Sequence, residues 1–226
     1  MDIQLHYIEQ GSGQPMILLH GNGENGEYFE HQIPYFSSNY RVIAIDTRGH
    51  GQSSRGEKPF TIVQFAEDLH DFMDEKGIDK AILLGFSDGG NIALTFALKY
   101  PERVDKMIVD GANLFPSGVK PLYQWPIKIG YRLAGLFANK SEKAKQNAEM
   151  LGLMVNEPHI EPSELATLTM PVLVVAGTKD MIKDSHTRLI HKSLPNAELA
   201  VLEGDHFVAN KNPDAFNHVV EDFLRK

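Results

Sequence analysis

Cysteine is absent from the 226 residues, tryptophan occurs once, and no hydrophobic run is long. Without thiols the chain has no disulfide, no thiolate zinc or iron–sulfur site and no cysteine nucleophile. The longest apolar runs, residues 81–86 and 171–176, fall far short of the ~20 needed to span a bilayer. Blocks of Lys and Arg are also missing: 22 basic side chains stand against 30 acidic ones, a formal net charge of −8. That balance argues against a nucleic-acid partner. Residues 1–10 carry acid and amphipathic alternation in place of a basic head and an apolar stretch, so no secretory signal is expected. Neither internal repeats nor low-complexity tracts occur. The expectation is a soluble, cytoplasmic protein with no membrane or nucleic-acid partner, long enough to bury one α/β core unaided.

The residues that are present, 42% hydrophobic and 23% charged, are informative in their order. Residues 3–9 alternate apolar and polar, as a half-exposed edge strand does. Shorter, mostly apolar runs follow at 16–19, 41–45, 81–85, 106–109, 172–176 and 198–202, the pattern of strands covered on both faces. Helices are expected at 62–76, 91–99, 181–193 and 214–224. In the first of these Ile62, Phe65, Ala66, Leu69, Phe72 and Met73 form one apolar stripe. Strand and helix alternate as in βαβ units with a mostly parallel sheet. Residues 113–169 break the rhythm: no strand pattern, two helical patterns (126–139 and 141–155) and several prolines. This reads as a helical cap inserted between two strands. The run 125–137 is apolar enough for a membrane-surface helix, but its cations, Lys128 and Arg132, are sparse, so it is expected to line a pocket.

The strongest chemical signal is Gly85–Phe86–Ser87–Asp88–Gly89–Gly90, lying directly between a buried strand and a helix. That context suits a nucleophile elbow, where a serine sits on a strained strand-to-helix turn and the glycines relieve crowding. A serine hydroxyl needs a base. Of ten histidines, His206 lies in a glycine-containing loop after the late strand 198–202, at the sheet edge where sites of open parallel sheets form. The histidine needs a carboxylate to fix its tautomer. Asp180, after strand 172–176, is the preferred acid; Asp110, at the end of the preceding strand, is the rival, and Asp205 is too close in sequence to His206. The turn His20–Gly21–Asn22–Gly23 offers backbone N–H groups for an oxyanion, with Asn22 and Asp88 as the natural pair. It has neither the lysine of a P-loop nor a dinucleotide fingerprint.

With Ser87, Asp180 and His206 in this order, the sequence resembles the α/β-hydrolase superfamily nearly end to end. Asp46–Thr47–Arg48–Gly49–His50–Gly51–Gln52–Ser53 resembles the DxRGxGxS turn of that superfamily. The turn is structural there, so Arg48 and His50 carry no catalytic expectation. Leu83–Leu84–Gly85–Phe86–Ser87–Asp88–Gly89–Gly90 and Met107–Ile108–Val109–Asp110–Gly111–Ala112–Asn113 are similar to segments of the biphenyl-hydrolase-like, or valacyclovir-hydrolase-like, esterases. In that group the residue after the nucleophile is Asp, as Asp88 is here. The chain departs from the group in its shorter N-terminal arm and in its oxyanion turn.

The resemblance implies an α/β-hydrolase fold over residues 1–226 as a single domain. A mostly parallel sheet would carry helices on both faces and a small helical cap at about 113–169. The activity expected is hydrolysis of a small-molecule carboxylic ester by Ser87, His206 and Asp180, with Asn22 and Asp88 N–H groups as oxyanion donors and no metal or organic cofactor. The Asp88 carboxylate has two possible destinations: solvent or the first turn of its helix, or the acyl pocket, where it would bind a substrate ammonium. Dehalogenases and epoxide hydrolases of this fold use Asp at the elbow and are not expected. Carbon–carbon bond hydrolases and perhydrolases keep the serine and remain alternatives, as does a small-molecule receptor that does not turn over.

Overall fold

Strand residues 16–19 serve two cores at once: Met16 and Leu18 face one, Ile17 and Leu19 the other, because successive side chains of a strand point to opposite faces. The same division runs through a seven-stranded sheet in a computed structural model that describes residues 2–226. Its strands are β1 (Tyr7–Gln10), β2 (Pro15–Leu19), β3 (Arg41–Ile45), β4 (Ala81–Phe86), β5 (Val104–Asp110), β6 (Val172–Gly177) and β7 (Ala197–Leu202), in the order β1-β3-β2-β4-β5-β6-β7. Only β1 is antiparallel to its neighbour. The helices are α1 (Gln32–Phe36), α2 (Ile62–Glu75), α3 (Asp88–Lys99), α4 (Pro121–Phe137), α5 (Glu142–Asn156), α6 (Asp184–Ser193), α7 (Val208–Lys211) and α8 (Pro213–Leu224). α2, α3 and α6 cover one face, α1 and α8 the other. Among the described residues no helix is long and apolar enough to cross a membrane.

The strand order positions the site. From β2 the chain turns outward to β3, then returns to pair β4 on the other side of β2. The turns leaving β2 and β4 therefore diverge from adjacent strand ends, which opens a crevice at the carboxyl edge of the sheet. The stripe expected on residues 62–76 is buried in α2, and Thr61 caps that helix through the Gln64 N–H (3.1 Å).

Some boundaries differ from expectation for local reasons. The edge strand begins at Tyr7 and not at residue 3, because the His6 N–H is committed to Ser53 Oγ (2.8 Å). The helix expected from 181 starts at Asp184, since Val119 and Ile182 form an isolated bridge and the Ile182 N–H bonds Asp180 Oδ1 (2.8 Å). The run 125–137 lines a pocket on one side only. Gln124 and Ile127 of α4 face inward, whereas Trp125, Ile129, Leu133 and Leu136 are exposed.

The Asp46–Ser53 turn is held from within. Asp46 accepts N–H groups from Gly26 and Gln52, both at 2.8 Å. Fully buried Arg48 grips Asp68 with Nε and Nη2, both at 2.7 Å, and also reaches Asp2. Arg48→Met should cost about 3–5 kcal/mol, because Asp68 is left buried without its counter-charge. Arg48→Met/Asp68→Leu should recover most of that loss. Urea unfolding of both variants checks this; a single variant within about 1 kcal/mol of the parent would contradict it.

Candidate active site

Ser87 is the one non-glycine residue with positive φ among the described residues (φ 52°, ψ −117°). Side-chain atoms at its neighbours would make the turn impossible. A Cβ on Gly85 would overlap the Gly89 carbonyl, and one on Gly89 would overlap the Leu19 carbonyl ending β2. The strained turn is fastened on both sides: the Ser87 N–H donates to Asp110 O (2.8 Å), and Ser87 O accepts from the Asn91 N–H (3.1 Å).

His206 and Asp180 meet Ser87 from two other strands. Ser87 Oγ lies 3.0 Å from His206 Nε2, and His206 Nδ1 lies 2.7 Å from Asp180 Oδ1. A carboxylate at Oδ1 keeps the ring proton on Nδ1, so Nε2 is left to accept the hydroxyl proton. Both His206 and Asp180 are buried. Two glycines make the approach possible. A Cβ on Gly111 would come within 2.7 Å of His206 Cε1, and one on Gly177 would overlap the Asp205 carbonyl of the loop carrying His206.

The rival acid Asp110 is fully buried at the end of β5, and neither of its carboxyl oxygens has a partner. Burial first, and then the charge of Asp180, raise its pKa well above the usual carboxylate range. Asp205 binds the Phe207 N–H (3.0 Å) and Lys211 and does not bond His206.

The Asp88 N–H is at the first position of α3, where the helix supplies no acceptor. The Asn22 N–H, in the turn after β2, donates to no backbone carbonyl. That turn is clamped to the Asp46–Ser53 turn by His20, whose Nδ1–H donates to Gly21 O (2.7 Å) and whose Nε2 accepts from the Thr47 N–H (3.0 Å). Burial lowers the His20 pKa to about 4, so the ring is neutral, as this pattern requires.

The Asp88 carboxylate points into a pocket shared with Ser87, Asn22, Gln124, Ile127 and Glu157. It accepts Asn22 Nδ2 (2.9 Å) and Asn91 Nδ2 (3.2 Å), and no cation among the described residues is bonded to it. Burial raises its pKa, opposed by the two amides and by His206. It thus turns neither to solvent nor to the N–H groups of its own helix. Asn22 Nδ2 also donates to Met150 O of α5 (2.9 Å), so one side-chain amide ties this turn to the helices between β5 and β6.

Sequence reasoning missed the side-chain role of Asn22, and it missed two further acids. Glu157 lines the pocket and accepts the Ile62 N–H (2.6 Å); burial and the Asp88 charge raise its pKa. Glu24 has a buried carboxyl oxygen without a partner, and burial raises its pKa to about 7 against the opposing pull of His206. Neither acid belongs to a motif; only the folded neighbours distinguish them from surface carboxylates.

Residues 14–147 match the family described as alpha/beta hydrolase fold. The serine hydrolase BPHL of Homo sapiens is 31% identical over 99% of this chain and 84% of its own length. The 3-oxoadipate enol-lactonase 2 of Acinetobacter baylyi is 28% identical over 100% of this chain and 94% of its own. Among solved structures, a meta-cleavage product hydrolase from Pseudomonas fluorescens superposes with a TM-score of 0.80 at 27% identity, covering 99% of this chain and 94% of that one. With the strand order, the glycine-crowded turn at Ser87 and these relatives all in agreement, the chain belongs to the alpha/beta-hydrolase family and is similar along its length to the serine hydrolase BPHL.

Proposed function

We propose that this protein is a serine esterase that cleaves small carboxylic esters through an acyl-enzyme and favours acyl groups bearing an α-amine. The observation that carries the reading is the chain of contacts from Ser87 Oγ to His206 and on to Asp180, at 3.0 and 2.7 Å. Ser87 Oγ attacks the acyl carbon as His206 Nε2 takes its proton. The tetrahedral oxyanion accepts the Asn22 and Asp88 N–H groups. His206 then hands the proton to the departing alcohol, and the acyl group stays on Ser87. Water repeats the sequence, with His206 as base, and releases the carboxylic acid. Asp180 positions the imidazole and stabilises its charged form.

The preference for an amine rests on Asp88, a carboxylate beside the serine satisfied only by neutral amides. An anion there opposes the developing oxyanion unless the substrate brings a cation. An α-ammonium supplies it two bonds from the acyl carbon.

A fluorophosphonate probe should add one label per chain, and Ser87→Ala should abolish labelling; undiminished labelling of that variant would refute the role of Ser87. Asp180→Asn should lower kcat by about 10⁴-fold, whereas Asp110→Asn should retain most activity in steady-state assays. The reverse pattern would make Asp110 the working acid. For an α-amino ester against its des-amino analogue, the parent should favour the amine in kcat/KM by about ten- to a hundredfold. Asp88→Asn should lose that ratio. Because a protonated Asp88 cannot pair with ammonium and its pKa is raised, the ratio should fall with decreasing pH earlier than an ordinary carboxylate would dictate. Equal losses on both esters would end the claim.

A further inference from the structure

α4 is amphipathic in the reverse sense: its apolar stripe faces away from the protein. Leu122, Trp125, Ile129, Leu133 and Leu136 recur at i, i+3 and i+4 spacing, with exposures of 79%, 68%, 54%, 54% and 74%. The inward side, Gln124 and Ile127, is already committed to the pocket beside Ser87, so the stripe cannot be buried by rolling the helix. A contiguous apolar face of this size on an otherwise polar surface marks an interaction site.

Charge indicates what covers it. Residues 120–145 hold six cations and one carboxylate, a local +5 in a chain of net −8. Lys120 is turned inward, donating to the Asp180 carbonyl. The other five, Lys128, Arg132, Lys140, Lys143 and Lys145, are exposed and form no ion pair with a carboxylate among the described residues. Folding gathers cations that are separated in sequence. Arg132 and Lys145 line one groove between α4 and α5, and the Lys140 ammonium stands 4.4 Å from the centre of the Phe137 ring at the end of the stripe. Residues 125–137 alone hold only two of these cations, Lys128 and Arg132.

We propose that the outer face of α4 docks on an anionic lipid surface. The helix would lie in the interface plane with Trp125, Ile129, Leu133 and Leu136 among the acyl chains and the cations at headgroup level. A symmetric pairing of two copies through this face fits less well, because it would set two patches of the same positive sign against each other.

Trp125 is the sole tryptophan of the chain and sits in the stripe, so its emission reports docking directly. Vesicles of phosphatidylcholine with roughly 30 mol% phosphatidylglycerol should shift it to the blue and carry the protein down on sedimentation. Phosphatidylcholine alone should do so weakly, and about 0.5 M NaCl should weaken the anionic case. Leu133→Gln/Leu136→Gln and, separately, Lys128→Glu/Arg132→Glu should each weaken binding about tenfold or more. Both variants should hydrolyse a soluble ester as the parent does, which shows that they are folded; should the leucine pair fail to fold, the charge pair carries the test. No shift and no sedimentation with anionic vesicles would overturn the proposal. So would a blue shift that grows with protein concentration without lipid, which means that a second copy covers the stripe, or undiminished binding by the folded variants.

Discussion

The close approach of the first turn of α3 to the end of β2 is the constraint on which the site depends. Gly89 lies against the Leu19 carbonyl with no room for a side chain, and Gly85 lies equally tight under Gly89. That contact forces Ser87 into positive φ and sets the Asp88 N–H beside the turn that carries Asn22. It also explains why the strain persists. Two parallel ladders and two packed helix faces flank the turn, and rotation at Ser87 would have to break the bond from its N–H to the Asp110 carbonyl.

Much of this was legible in the sequence because the signals are local. Six of the seven strands lie where short, mostly apolar runs lead into glycine-containing turns, and the α2 stripe is buried as its spacing implies. The convergence of Ser87, Asp180 and His206 could be anticipated because each follows a strand, and parallel strands end at one edge. Other features depend on distant partners and leave no periodic trace. The first strand was shortened by Ser53, 47 residues away. The short helix α1 buries Ile33 and Phe36 against α8 residues from the far end of the chain. The outward stripe of α4 is indistinguishable from a core stripe until its other side is seen to be occupied.

Electrostatics divides the molecule into two parts. Around the crevice stand Asp88, Asp110, Glu157 and Glu24, all with raised pKa values that trace first to burial. Such a group of acids, with neutral amides as its only close partners at Asp88, disfavours another anion and welcomes a cation. The helices above the crevice carry the opposite sign.

The Asn22 amide gives this arrangement a mechanical side. One of its N–H groups holds Asp88 and the other holds the Met150 carbonyl of α5, while the pocket below has about 20 Å³ of room, roughly one water. A shift of α5 away from the pocket withdraws Met150 from Asn22. The freed N–H must then find water or the incoming molecule. The turn after β2 and the helix above it are thus joined through one side-chain amide: α5 cannot move away while both Asn22 bonds stay in place.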